Sequence, residues 1–160
     1  MAFIVGPKRK ADDAALARVW MERYGASAIV SRGRLHDALS LPALVAREGD
    51  EVLGALTFDR QEGAIEVVTL DSFVMGQGVG SALLEAMATL ARHEGAKRLW
   101  LVTSNDNIRA LRFYQRRGWD MVAIHSDAIS QARKLKPEIP THGDYGIPIR
   151  HEIEFALTLD

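Results

Sequence analysis

Along the chain the apolar positions change period several times, and each change predicts an element. Leu16, Val19, Trp20 and Arg23 recur at helical spacing behind Asp12 or Asp13, either of which can cap a first helix, and Gly25 supplies its stop. Residues 26–41 mix their signals and read as a loop with at most one short helix. From Ala43 the pattern turns strand-like. The runs 43–47, 52–59 and 64–74, separated by turn-like residues 48–50 and 61–63, predict an antiparallel meander. After Gly76 the period lengthens again: Val79, Leu83, Met87 and Leu90, with Ala82 and Ala86, form one apolar helical stripe that ends at Gly95. Residues 98–103 are apolar on both faces, as a central parallel strand is, so 64–103 makes a βαβ unit with a right-handed crossover. Asn105, Asp106 or Asn107 can cap a further helix running to Arg117, with Gly118 as its stop and 119–124 as the next strand. A short helical patch at 128–134 and a loop rich in Pro and Gly follow. Ile149, His151, Ile153, Phe155, Leu157 and Leu159 then alternate with Arg150, Glu152, Glu154, Ala156 and Thr158, the period of a half-buried terminal strand. The fold class is α/β with a mixed sheet.

Composition narrows the function. Hydrophobic residues make up 48% of the 160 positions and charged residues 26%, which is globular, and no internal repeat divides the chain, so 1–160 is expected to be a single domain. There is no cysteine, which excludes disulfides, thiolate metal sites and a cysteine nucleophile. Twenty basic against 21 acidic side chains give a net charge of -1, which argues against nucleic acid as a partner. No run approaches the ~18 apolar residues of a membrane span. The opening residues lack the basic region of a signal peptide, so a cytoplasmic location is expected. His36, His93, His125, His142 and His151 show no paired-ligand spacing, and no metal is expected.

The segment 74–81, Val-Met-Gly-Gln-Gly-Val-Gly-Ser, lies between a strand and a helix. Its glycines let backbone approach a ligand closely, and the helix start offers unpaired N–H groups to an anion such as a pyrophosphate. It lacks the Gly-Lys-Ser/Thr ending of a nucleoside-triphosphate loop. It also fails the dinucleotide fingerprint, because the sixth residue from Gly76 is Ser81 and that from Gly78 is Leu83.

Gly78-x-Gly80 at the head of a long helix, followed 27 residues after Gly80 by Asn107 with Ala110, Tyr114, Gly118 and Trp119 at fixed offsets, resembles the paired motifs of the GNAT family of N-acetyltransferases. The resemblance covers about residues 43–124, with the first helix matching loosely. It implies a single-domain mixed sheet of about six or seven strands flanked by about four helices, with a splayed central parallel pair. Two departures stand out: Met75 occupies a place that usually holds Arg or Gln, and the link from strand end to loop is short.

The resemblance also implies a reaction and its residues. Acetyl-CoA is the acyl donor, and transfer to an amine is direct, with no metal. Ser72, Phe73, Val74, Gly76, Gln77, Gly78, Val79, Gly80, Ser81, Asn107 and Tyr114 are the expected cofactor contacts. Tyr114 is the expected general acid for the departing thiolate, since phenol at ~10 and thiol at ~8.5 lie close enough for transfer. Glu66 is the expected base, with Asp71 as the alternative, which a regular strand points to the opposite face and a bulge does not. Glu66 also reads as an exposed strand residue and Tyr114 as a core residue. An N–H of Phe73 or Val74 is expected to face the oxyanion. Asn107 serves as helix cap, as cofactor contact, or as both. Arg109, Arg112, Arg116 and Arg117 form either a solvated stripe or a site for the 3′-phosphate. The acceptor, a small-molecule or peptide amine, is expected among residues 20–40, where Trp20, Tyr24, Arg32 and Arg34 lie, and under the loop 137–148 with His142, Asp144 and Tyr145. That loop reads equally as a surface or dimer contact, and the resemblance allows a homodimer. The competing function is a non-catalytic acyl-CoA-binding or sensing module on the same fold.

Overall fold

The computed structural model describes residues 2–160. In chain order the strands are β1 (Ile4–Pro7), β2 (Ala28–Ser31), β3 (Arg34–Asp37), β4 (Ala43–Glu48), β5 (Glu51–Gln61), β6 (Ala64–Ser72), β7 (Arg98–Ser104), β8 (Asp120–His125) and β9 (Glu152–Thr158). The helices are α1 (Asp13–Tyr24), α2 (Val79–His93), α3 (Ile108–Arg116) and the short α4 (Ala128–Ala132). Seven strands form one mixed sheet in the order β1-β4-β5-β6-β7-β9-β8.

The meander appears as β4, β5 and β6, each antiparallel to the next, and β1 joins it outside β4. At four residues β1 is too short to show a period in the sequence. The crossover through α2 brings β7 parallel to β6, but the two are paired only at Ala64–Arg98, Ile65–Leu99 and Glu66–Trp100. Beyond those rungs β6 stays paired with β5 as far as Ser72, and β7 stays paired with β9 as far as Ser104. Each strand keeps its outer neighbour while the pair itself separates, which is the expected splay.

α2 and α3 cover one face of the sheet, where Leu56, Phe58, Leu83, Met87, Leu101 and Phe155 form the main core. α1 covers the other, with Leu16 and Trp20 packed on Val45 and Ala55. Gly25 ends α1 in the left-handed conformation, as its position predicted. Asp12 is the first cap residue, yet its side chain does not cap α1. It accepts the Arg9 N–H at 2.7 Å and pairs with the buried guanidinium of Arg47 on β4, fastening the start of α1 to the sheet.

Residues 26–41 are not a loop. β2 and β3 form an antiparallel hairpin, a separate two-stranded sheet, followed by a 3₁₀ turn at Ala38–Ser40. Its two-residue turn holds Arg32 at φ 48° and Gly33 at φ 76°, the pair of left-handed residues that suits a tight hairpin to the twist of its strands. The terminal strand is also more enclosed than its alternation suggested. β9 lies between β7 and β8, so Glu152 and Ala156 are buried along with Ile153 and Phe155. Among the described residues no helix is long and apolar enough to cross a membrane.

Candidate active site

Where β6 and β7 separate, α2 begins. Gly76 and Gly78 have φ near 72° and 73°, a conformation that costs an L-residue roughly 1–2 kcal/mol, and Gly78 is the N-cap of α2. Gly80 has a different reason to be glycine: a Cβ there would come within 3.3 Å of the Phe113 ring on α3. The turn therefore presents its backbone, and the positive end of a fifteen-residue helix, at the mouth of the gap. Met75, which stands where the family usually has Arg or Gln, is 84% exposed.

β6 ends at Ser72, two residues before the predicted end, and Phe73 and Val74 lie beyond it. The Phe73 N–H donates to the Leu53 carbonyl at 2.8 Å, so it is not free to face an oxyanion; of the two expected donors Val74 remains. Because bonded positions alternate along an antiparallel strand, Leu70 and Ser72 then direct their main-chain groups toward the gap. Leu70 escaped the sequence reading, since only the register identifies it. The Ser72 carbonyl accepts from Arg23 of α1 at 3.0 Å, and the Ser72 hydroxyl donates to the Val74 carbonyl at 2.6 Å.

Glu66 occupies the last rung before the strands part. It is not an exposed strand residue: only 1% of its surface is accessible. The hairpin closes over it, with the Ser31 hydroxyl bonded to Oε2, Gln61 Nε2 at 3.3 Å from Oε1, and His36 Nε2 at 3.7 Å from Oε1. Gln61 is itself oriented by the Trp100 indole N–H at 3.0 Å. Burial is the main cause that raises the Glu66 carboxyl above its ordinary range, against the lowering effect of the Ser31 bond.

The strand carries the bulge that decides the alternative base. Thr57 opposes Thr69 but Phe58 opposes Val67, which leaves Val68 as an extra residue. The Thr57 hydroxyl compensates by accepting the Thr69 N–H at 3.1 Å. The parity break turns Asp71 to the same face as Glu66. Asp71 is buried, accepts from Tyr24 Oη at 2.8 Å and Trp20 Nε1 at 3.2 Å, and lies 3.6 Å from Arg23. Burial raises its carboxyl above the usual range as well.

Tyr114 is a core residue, as one reading held, packed between Trp119 and Phe155 with ring centroids 5.7 and 5.5 Å away. Burial first, and then the charge of Asp71, push its phenol well above the ordinary value. The same carboxylate acts on Tyr24, and Tyr24 also senses Tyr114, so Asp71, Tyr24 and Tyr114 share one neighbourhood. The shift keeps the Tyr114 phenol protonated and makes it a weaker acid than the free phenol expected from sequence.

Asn107 is a helix cap: Oδ1 accepts the Ala110 N–H at 3.2 Å while Nδ2 reaches Thr103 at 3.2 Å. The arginine stripe of α3 borders a cleft of about 1080 Å³ between α2 and α3. Arg117 is no loose solvated charge, since it lies 3.6 Å over the Phe113 ring and bonds the Ser81 hydroxyl at 2.9 Å. Of the window 20–40, Trp20 and Tyr24 face inward, whereas Arg32 pairs with Glu152 at 3.0 Å and Arg34 with Asp59 at 3.2 Å. The loop 137–148 folds onto the turn between β7 and α3, where the Asp144 N–H donates to Asp106 at 3.1 Å and Asn105 Nδ2 donates to the Pro148 carbonyl at 3.0 Å. His142 and Tyr145 remain exposed.

Residues 14–119 match the Acetyltransferase (GNAT) family. The uncharacterized protein YdhI of Bacillus subtilis is 40% identical over 113 residues, 71% of each chain. Two solved structures superpose over nearly the whole length. The IAA acetyltransferase of Bacillus cereus has a TM-score of 0.72 at 19% identity, covering 99% of this chain and 100% of that one. A GNAT family acetyltransferase of Elizabethkingia anophelis, solved with acetyl-CoA bound, has a TM-score of 0.71 at 17% identity, covering 98% of each. At these identities the two structures establish the shared fold.

Proposed function

This chain belongs to the GNAT acetyltransferase family, and on that footing we propose that it transfers the acetyl group of acetyl-CoA to a primary amine. The observation that carries the reading is the three-rung contact of β6 and β7, with Glu66 at its apex and the glycine-rich start of α2 at its mouth. Backbone N–H groups of residues 76–81 suit the pyrophosphate, and those of Ser72 and Val74 the acyl-bearing arm, which supplies an activated thioester. A lysine-like acceptor must lose a proton to attack, a step that costs about 4.6 kcal/mol at pH 7. Glu66 is the base in this reading. Its raised carboxyl lies nearer neutrality than a free one and so matches that task better. Val74 N–H faces the developing oxyanion. Tyr114 is the donor to the leaving sulfur in this reading, although burial makes its phenol a weaker acid than a free one and widens its gap from the thiol.

The test starts with calorimetric titration by acetyl-CoA, with NADH as control, followed by CoA release with ethanolamine, tyramine, spermidine and lysine. Micromolar binding of acetyl-CoA alone, with release stimulated by an amine, is expected. Tyr114→Phe should then bind acetyl-CoA normally and turn over at least about 100-fold more slowly. Binding without stimulated release, and indifference to Tyr114→Phe, would identify the non-catalytic acyl-CoA-binding module instead.

A further inference from the structure

We propose that His36 is the proton outlet of Glu66: the proton that Glu66 removes from the acceptor passes to His36 Nε2 and leaves past Asp59. The inference rests on the reading of Glu66 as base. His36, on β3, is 6% exposed, and its Nε2 has no hydrogen-bond partner among the described residues. An unpaired buried ring nitrogen costs free energy, so a fold that keeps one needs a reason for it. This nitrogen is 3.7 Å from Glu66 Oε1, and polar atoms of His36, Asp59 and Glu66 lie within 4.8 Å of one another.

Charged groups face the ring from three strands. Glu66 faces the ring from β6, Asp59 from β5 and Arg34 from β3, with Arg34 3.2 Å from Asp59. On the flanks Lys136 Nζ donates to the Ala28 carbonyl of β2 at 2.7 Å, and Arg32 is held by Glu152. Burial depresses the imidazole, with the charge of Asp59 opposing it, so the ring is neutral at rest, and it can take up a proton at Nε2 in the tautomer that carries its hydrogen on Nδ1. The steps balance. An acceptor ammonium gives one proton to the Glu66 carboxylate and becomes a neutral amine. Glu66 passes that proton to Nε2, which restores the carboxylate and makes an imidazolium between two acidic groups. The imidazolium then releases the proton to water beside Asp59, whose side chain is 21% exposed. His36 is thus a relay that touches no substrate, and without it Glu66 keeps its proton inside an enclosed site.

The test compares wild type, Glu66→Gln and His36→Gln as full chains. CoA release from acetyl-CoA is followed from pH 5 to 9 with the four amines above and, with water as acceptor, without them. The His36→Gln change should lower the rate about tenfold or more and remove one ionisation from the pH profile, while the KM for acetyl-CoA stays put. ¹⁵N spectra of the wild-type imidazole should show protonation of His36 moving by at least one pH unit in Glu66→Gln. A loss in Glu66→Gln with a wild-type rate and profile in His36→Gln would overturn the relay and leave Glu66 as base. Wild-type rates in Glu66→Gln would overturn both. Should His36→Gln fail to fold, the imidazole titration decides alone, and a midpoint unmoved by Glu66→Gln refutes the relay.

Discussion

A carboxyl group as enclosed as that of Glu66 titrates differently in the folded and the unfolded chain. Burial raises its folded value above the ordinary 4.5, so the native protein holds this proton to a higher pH than the unfolded one does. The stability it contributes is complete below the unfolded value and is lost as pH rises through the folded one. Glu66→Gln keeps a neutral polar group near Ser31 and lacks that loss. Melting curves from pH 4 to 8 should therefore show the variant gaining on wild type as pH rises from about 4.5; a constant difference would mean that Glu66 is not raised. The motif spacing led to Tyr114, because a fixed offset on a helix implies a place, and the family resemblance of the central strand led to Glu66. His36 was out of reach. It lacked any ligand spacing, and its significance comes from a hairpin that carries it onto Glu66, 30 positions away. The signal that would have found it was the Arg32-Gly33 turn between Ile29-Val30 and Leu35.

At the scale of elements, the site depends on how closely β5, β6 and α2 approach. Gly54 on β5 allows that approach: a Cβ there would fall 2.5 Å from Val79 Cγ1 and 2.7 Å from the Asp71 carbonyl. Gly54→Ala must push α2 or β6 outward, at about 1–3 kcal/mol in denaturant unfolding. It should also weaken acetyl-CoA binding in calorimetry, because Val79 opens α2 beside the glycine turn. Loss of stability with unchanged binding would show that the turn is insulated from the core. The longer elements were legible because an apolar stripe of several turns, as in α2, or a run apolar on both faces, as in β7, has few alternative explanations. The bulge at Val68 had no such signature. It follows from how β5 and β6 fit together, and it alone puts Asp71 on the face of Glu66. The C-terminal loop, legible only as an unusual length, is fixed by contact with Asp106, where a Cβ on Gly143 would stand 1.9 Å from Oδ2.

Across the whole molecule the net charge is -1, yet α3 and the residue that caps its C-terminus set Arg109, Arg112, Arg116 and Arg117 beside the cleft that includes Ser81. On the proposed reading that local excess suits the 3′-phosphate of the cofactor. The larger consequence concerns mechanics. Four strands on one side and three on the other are two plates, and between the middle strands the weld is three rungs long. Acetyl-CoA lodged along the open part of that joint should act as a rivet. Hydrogen exchange should slow over 70–74 and 101–104 when acetyl-CoA is added and change little within β4 and β5; uniform slowing would mean that the plates already move as one. If the exchange slows there, the reactant is also a structural part, and the protein should be stiffest while loaded and loosen when its product departs.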